Sequence, residues 1–234
     1  MMMKLAIMQP YLFPYLGYFQ LIHSVDRFVV FDDVNFIKKG WVNRNNLLVN
    51  EAPLLFTVPL LGASQNRTIK DIQVSNEGDW KSRLLRTLAM SYGKAPCYVP
   101  VMSLVEEVLS ATDCTISELN TKAIRAVCKH ICISTVIIPS SAIYNAGELK
   151  GQERILHICG QEQASHYHNP IGGIELYDRD RFLANGTQLF FLRSLLPVYQ
   201  QWSDSFTPGL SIIDVLMFNS SSEVLRMMDD YELC

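Results

Sequence analysis

An α/β fold is predicted, with a parallel-sheet core and additional helices packed on it, from three neighbouring observations. Residues 4–8 (KLAIM) form a short apolar run stopped by Gln9-Pro10, the signature of a buried strand ended by a proline. Leu16, Phe19, Ile22 and Val25 recur at helical spacing over residues 14–24, with Pro14 placed to occupy the first helical turn. Residues 27–31 (RFVVF) are β-branched and aromatic and end in Asp32-Asp33. Strand, helix and strand in so short a stretch read as a βαβ unit, whose crossover makes the two strands parallel. Ligands bind at the carboxyl ends of such strands, so Gln9-Pro10 and Asp32-Asp33 are expected on one edge of the sheet.

Further along, residues 54–59 and 68–74 read as strands around a Gly/Ser/Asn loop. Residues 79–92 read as an amphipathic helix ending near Gly93, and Pro96 opens another helical stretch to about Ser110. Thr115 and Glu118 form a capping-box pattern for a helix to about Cys132. Residues 135–138 and 188–192 read as strands, the first of them buried, and residues 150–160 as a helix. Ser211 and Asp214 open a short helix, and residues 220–229 form a last one. No repeat, linker or low-complexity run divides the chain, which predicts one domain over residues 1–234 with a helical layer over 95–132.

With 234 residues, 49% of them hydrophobic and 18% charged, the chain can bury a sizeable core and lies far from the disordered class. A formal charge of −3 argues against a global positive field that would gather nucleic acid. The six cysteines are scattered through apolar, helix-like segments and read as buried thiols in a reducing compartment. The N-terminal run is broken by Pro10 too early for a secretory signal, and no apolar run reaches the roughly 18 residues of a membrane span. A cytoplasmic location is therefore expected. Cys128 and Cys132 are four apart with His130 between them, but without the paired spacing of a zinc site, so no metal is assigned.

Four features bear on chemistry. The segment QPYLFPYLGYF combines two prolines, a glycine and three tyrosines at the first strand-to-helix turn. Gln9, Pro10, Tyr11, Gly17 and Tyr18 are its candidate binding residues. Gly17 would admit a ligand close to the backbone, and the helix N-terminus would seat phosphate or carboxylate. The structural alternative, aromatics in the core and prolines for rigidity, has comparable weight. Asp32 and Asp33 sit at a strand end on opposite faces, so one of them at most faces a given pocket. Lys38, Lys39, Trp41, Asn43, Arg44 and Asn45 cluster within eight residues: cationic forks for phosphate, amides for hydroxyls and an indole face for a ring. The competing picture is a solvated loop anchored by Trp41. Lys150 and Arg154, one helical turn apart, are a second phosphate clamp or else a solvated helix face.

Taken together, these residues resemble the WbqC-like protein family. The resemblance runs through Gln9-Pro-Tyr11, Pro14, Gly17-Tyr-Phe19, Asp32-Asp33-Val34, Phe36, Lys38, Trp41 and Asn43-Arg-Asn45. It continues with Tyr92, Lys94, Pro96, Tyr98, Lys150, Arg154, Tyr167, Gly172-Gly173, Tyr177, Tyr199, Gln201 and Leu210 to Asp214. Met8 stands where a histidine is usual, and Asn219-Ser-Ser-Ser222 replaces an expected glycine. The family's setting in bacterial surface-polysaccharide gene sets implies a small-molecule substrate, a sugar nucleotide in particular. It also adds Tyr167 and Gln201 to the binding residues. The opening unit is in addition similar to that of the HIGH-type nucleotidyltransferase and pantothenate synthetase superfamily, which implies a Rossmann-like (HUP) core. That similarity leaves the cofactor open between none and ATP with Mg²⁺. The two signature histidines would fall near Pro14 and Tyr18 and are absent.

The expectation drawn from these resemblances is a transferase or amide-forming ligase of O-antigen-type precursor synthesis that attaches an amino acid or acyl group to an amino-sugar nucleotide. Asp33, Lys38 and Arg44 are its candidate catalytic residues. The alternatives are a nucleotidyl or sugar-nucleotide transferase and a non-catalytic sugar-nucleotide binding protein.

Overall fold

A computed structural model describes residues 2–203 and 205–234. In chain order the elements are β1 (Lys4–Met8), α1 (Leu16–His23), β2 (Arg27–Val30), β3 (Arg44–Val49), β4 (Ala52–Thr57), β5 (Leu60–Leu61) and β6 (Gln73–Val74). They continue with α2 (Trp80–Tyr92), α3 (Tyr98–Leu109), α4 (Ile116–His130), β7 (Val136–Ile138), α5 (Gly151–Gln161) and β8 (His166–Pro170). The last are α6 (Arg179–Ala184), β9 (Gln188–Ser194), α7 (Ile212–Phe218), α8 (Ser221–Met227) and β10 (Tyr231–Leu233).

The fold is α/β around a six-stranded sheet ordered β10-β9-β8-β1-β2-β7, parallel except for the edge strand β10. The opening unit pairs β1 with β2 in parallel, Leu5 opposite Arg27 and Met8 opposite Val30, so both polar strand ends lie side by side. Helices cover both faces, and the alternation of side chains along each strand sorts residues between two cores. Ala6, Phe28 and Val30 join Phe19, Ile22, Leu119, Ile124 and Ile213 on one face. Leu5, Ile7 and Val29 join Ile155, Ile158, Phe182 and Phe191 on the other. Between β2 and β7 the chain inserts the β3–β4 hairpin and helices α2 to α4. The helical layer expected over 95–132 corresponds to α3 and α4, which pack on one another, with α3 also against α2 and α7.

Several expected elements change. α1 starts at Leu16 with Tyr15 as its N-cap, so Pro14 lies one residue outside the helix, where its carbonyl accepts from the Ile212 N–H at 2.9 Å. Residues 68–74 form a 3₁₀ turn at Ile69–Asp71 followed by the two-residue β6 rather than one strand. β7 is an edge strand with Val136 exposed, not a buried one. Arg44–Val49, read as part of a loop, is a strand of a hairpin closed at Asn50-Glu51, both at positive φ (+50° and +64°), the backbone of a two-residue primed turn. The capping box read at Thr115 and Glu118 forms, and a second one, not read from the sequence, joins Ser220 to Glu223.

The central strand β8 (HYHNP) is the largest revision, because its polar composition hides it. Tyr167 is fully buried and stacks on Phe182 at 5.4 Å, and His168 is buried with Nδ1 3.0 Å from Ser24 Oγ. Desolvation, the dominant cause, lowers the His168 pKa from 6.5 to about 4. The unfolded chain therefore binds a proton between those values that the folded chain refuses, and stability falls as pH drops from about 6.5 to about 4. At roughly 1.4 kcal/mol per pKa unit, this amounts to about 3 kcal/mol at the acid end. Urea titrations at pH 7 and pH 5 are expected to show about 2 kcal/mol of that loss in wild type and much less in His168→Gln. An equal loss in both proteins would remove His168 as its source.

Candidate functional site

In the sheet order β1 has β2 on one side and β8 on the other, and the chain reverses direction of build between β1 and β8. The carboxyl ends of strands at such a reversal diverge and leave a crevice. A cleft of about 370 Å³ lies there, walled by Met8 at the end of β1 with Gln9 and Tyr11 beyond it, Phe31 after β2, Asn169 near the end of β8 with Gly173 and Tyr177 beyond it, and the apolar side chains of Ile7, Ile37, Ile155 and Leu176. A second pocket of about 270 Å³ lies on the other side of Tyr11, lined by Tyr15, Pro14, Trp41, Asn45, Leu196 and Gly209. Tyr11 is common to both.

The first turn is built around backbone carbonyls held by buried amides. Asn45 Nδ2 donates to Leu12 O and Phe13 O at 3.1 and 2.7 Å, and Asn120 Nδ2 donates to Pro10 O and Val42 O at 2.9 and 2.7 Å. Ser211 Oγ donates to Phe13 O at 2.8 Å. Together they fix Phe13 at φ +43°, a conformation costly for a non-glycine residue, and set Tyr11 between the two pockets. Tyr18 is buried and donates to Gln9 O at 2.9 Å, so it supports the turn from within the core and does not reach either pocket. Gly17 is wrapped by the protein: a Cβ there would lie 2.5 Å from the Tyr15 ring and 2.9 Å from Ser194 Oγ. The small residue admits β9 rather than a ligand. With Leu16, Gly17 and Tyr18 all buried, this helix start does not fit the phosphates of ATP.

Asp32 and Asp33 diverge, as alternation along a strand requires. Asp32 is buried and accepts from Ser117 Oγ and Ser140 Oγ, each at 2.7 Å, and from the Ser141 N–H at 3.2 Å. Burial raises its pKa more than these hydrogen bonds lower it. Asp32 thereby ties β2 to the segment after β7 and does not line the cleft. Asp33 is ion-paired with Arg154 and accepts from Ser141 Oγ, so it is not a free carboxylate waiting for an amine. The Arg154 guanidinium lies 5.5 Å from the centre of the Phe31 ring, on the cleft wall. Arg154 Nε and Gln152 Nε2, both on α5, are buried without an acceptor among the described residues. Such orphans are rare and mark where an acceptor is missing.

The other expected residues separate. Lys38 and Lys39 are exposed beyond Ile37, which lines the cleft. Trp41 is about half exposed; Arg44 Nε donates to Gly40 O at 2.9 Å and its guanidinium lies 5.8 Å from the Trp41 ring centre. Asn43 is used by Val58, donating to its carbonyl at 2.8 Å. Lys150 is the N-cap of α5, extended and exposed, while Arg154 turns inward, so the two do not make a clamp. Tyr167 is buried and donates to Asn169 Oδ1 at 3.2 Å, acting one step behind the cleft. Gln201 is consumed by Tyr199, Thr207 and Asp214 away from the cleft.

Asn169, Gly173, Tyr177 and Tyr15 border the two pockets and are absent from the sequence-derived set. Gly173 is needed for the cleft: a Cβ there would fall 2.0 Å from Asn169 Nδ2. An asparagine at a strand end followed by a glycine pair is the signal that could have found them, and it is informative only once a strand is placed at 166–170. Among the described residues, no group of three or more His, Cys, Asp or Glu side chains is arranged to hold a metal ion, and no helix is long and apolar enough to cross a membrane.

Comparison with known proteins gives a full-length relationship. The chain is 28% identical over 226 residues to the uncharacterized protein Rv1507c of Mycobacterium tuberculosis, a match covering 95% of this chain and 96% of that one. No solved structure matches it. The WbqC-like protein family matches residues 9–225, which spans the turn at Gln9, the aspartate pair, α5, β8 and the Asp214 helix, and the chain therefore belongs to the WbqC-like protein family.

Proposed function

We propose that the chain is a transferase of bacterial surface-polysaccharide precursor synthesis that moves an acyl or aminoacyl group onto an amino-sugar nucleotide. The carrying observation is the pair of pockets meeting at Tyr11 on the carboxyl edge of the sheet. Adjoining seats with a shared wall suit a long two-part ligand such as a sugar nucleotide, held so that its sugar end meets an incoming donor. Arg154, paired with Asp33 and resting against Phe31, supplies preorganised positive charge behind the Phe31 wall of the cleft, near where an acyl oxygen would gain negative charge during transfer. Because the α1 start does not fit the phosphates of ATP, the donor in this reading arrives already activated: the amide bond forms as the donor's bond to its leaving group breaks, and the leaving group departs with the proton the amine gives up.

The test is turnover followed by mass spectrometry, pairing amino-sugar nucleotides with activated acyl and aminoacyl donors. A product heavier by the acyl increment is expected, falling on the order of 100-fold in Arg154→Met, the scale of one lost transition-state contact. Binding of the sugar nucleotide without turnover for any donor would make the protein a carrier. Neither binding nor turnover would refute the reading.

A further inference from the structure

We infer that the aromatic pocket is the seat of the nucleoside ring, with Arg44 taking the adjoining diphosphate, while the Asn169–Gly173 cleft receives the sugar end. This rests on the sugar-nucleotide reading above and assigns its parts. Three aromatic rings, Tyr11, Tyr15 and Trp41, meet in a pocket with only two aliphatic neighbours, Pro14 and Leu196. An acyl chain would be served by aliphatic walls, whereas a flat heterocycle gains from stacking faces. The polar equipment fits the same ligand. Tyr11 and Tyr15 are mostly buried, yet their hydroxyls have no hydrogen-bond partner among the described residues. Burial raises both pKa values, so both remain protonated donors, suited to a base carbonyl or a ribose oxygen. Asn45 is already committed, its amide hydrogens to Leu12 and Phe13 and its Oδ1 to the Asn46 N–H. It shapes the pocket floor and leaves recognition to the tyrosines.

Charge is placed beside the rings. Arg44 spends Nε on Gly40 O, and its terminal nitrogens have no acceptor among the described residues. A guanidinium fork held by its Nε and resting against the indole is positioned for a phosphate next to a ring stacked on the same side chain. Exposed Lys38 and Lys39 lie on the stretch that leads from Ile37, on the cleft, to Trp41, on the aromatic pocket. A ligand lying from Trp41 past Tyr11 to Asn169 thus meets the ring faces with Arg44 beside them, then Tyr11, then the Asn169 amide and the glycine turn, which suits the parts of a nucleoside diphosphate sugar.

Titration calorimetry of the full chain with UDP, ADP, the two nucleosides and a UDP-amino sugar tests the assignment. Trp41→Ala is expected to weaken the diphosphates at least tenfold, and Tyr15→Phe three- to tenfold with no change in Tm. Arg44→Lys should weaken a diphosphate more than its nucleoside. Asn169→Ala should act mainly on the extra affinity contributed by the sugar. If the diphosphates ignore Trp41→Ala and Tyr15→Phe but are lost in Asn169→Ala, the assignment is overturned and the sugar-nucleotide reading survives. Trp41-dependent binding of an acyl donor in place of the diphosphates overturns it as well. No binding of any diphosphate or sugar nucleotide ends both.

Discussion

Asp214→Ala is expected to cost the fold about 3 to 4 kcal/mol and to lower the urea midpoint without changing the slope. The carboxyl group is fully buried in the first turn of α7 and accepts three hydrogen bonds: Tyr92 OH at 2.8 Å, Tyr199 OH at 2.7 Å and Gln201 Nε2 at 3.0 Å. Tyr92 in turn accepts from the Leu48 N–H at 2.8 Å, so one carboxyl links α7, α2, β3 and the segment before α7. Truncation leaves the Tyr92 and Tyr199 hydroxyls without their acceptor, while Gln201 Nε2 keeps Tyr199 and Thr207, and leaving such groups unpaired costs more than the net value of the bonds themselves. Tyr92→Phe, which removes one donor, is expected to cost roughly 1.5 kcal/mol. A loss below about 1 kcal/mol in Asp214→Ala would show that water repairs the cavity.

The same residue predicts a sign for pH. Burial raises the Asp214 pKa above its ordinary value despite the three donors. The folded state then takes up a proton before the unfolded state does. This group's contribution is fully present below the ordinary carboxylate pKa and is lost as pH rises through the raised one. It opposes the acid destabilisation from His168. Asp214→Asn should therefore delete one limb of the stability profile and leave the His168 limb in place.

The Asp33–Arg154 pair carries the second large expectation. Both side chains are nearly buried, at 11% and 13% exposure, so removing either one strands the other in a poorly solvated place. Arg154→Met and Asp33→Asn are each expected to cost about 2 to 3 kcal/mol, and the double variant less than their sum by at least about 1 kcal/mol. In turnover the pattern differs. Arg154→Met should be nearly inactive alone and in the double variant, whereas Asp33→Asn, which keeps a hydrogen-bond acceptor near the guanidinium, should retain part of the rate. Additive stability losses would mean that the pair is screened by solvent. Equal rates in the two single variants would mean that Asp33 does more than hold Arg154.

The positions of elements with strong local signals were legible. The βαβ opening, the Thr115–Glu118 capping box and α2 through α5 follow from apolar spacing and cap chemistry, which act within one or two turns. The convergence of Gln9 and Asp33 on one edge followed from strand polarity alone. What escaped was governed by contacts distant in sequence. His168 is buried in a strand because Ser24 meets its ring, 144 residues away, and Tyr167 because Phe182 stacks on it. Gly17 looked like an opening for ligand because a glycine records only that something comes close; the something is Ser194. Gln201 and Tyr18 looked like ligand contacts because a buried hydrogen-bond partner and a bound substrate ask for the same side chains.

The sequence by itself determined the family, the parallel core and the edge of the sheet at which a ligand would lie, since these depend on residue order and periodicity. Only the tertiary structure decided which polar residues face open space. It put β8 beside β1 and so brought Asn169 and Gly173 into the crevice, turned Arg154 onto Asp33, and committed Asp32, Asn43 and Gln201 to internal partners. The reason is physical: a buried polar group must find a partner, and which partner it finds is settled by packing across the whole chain.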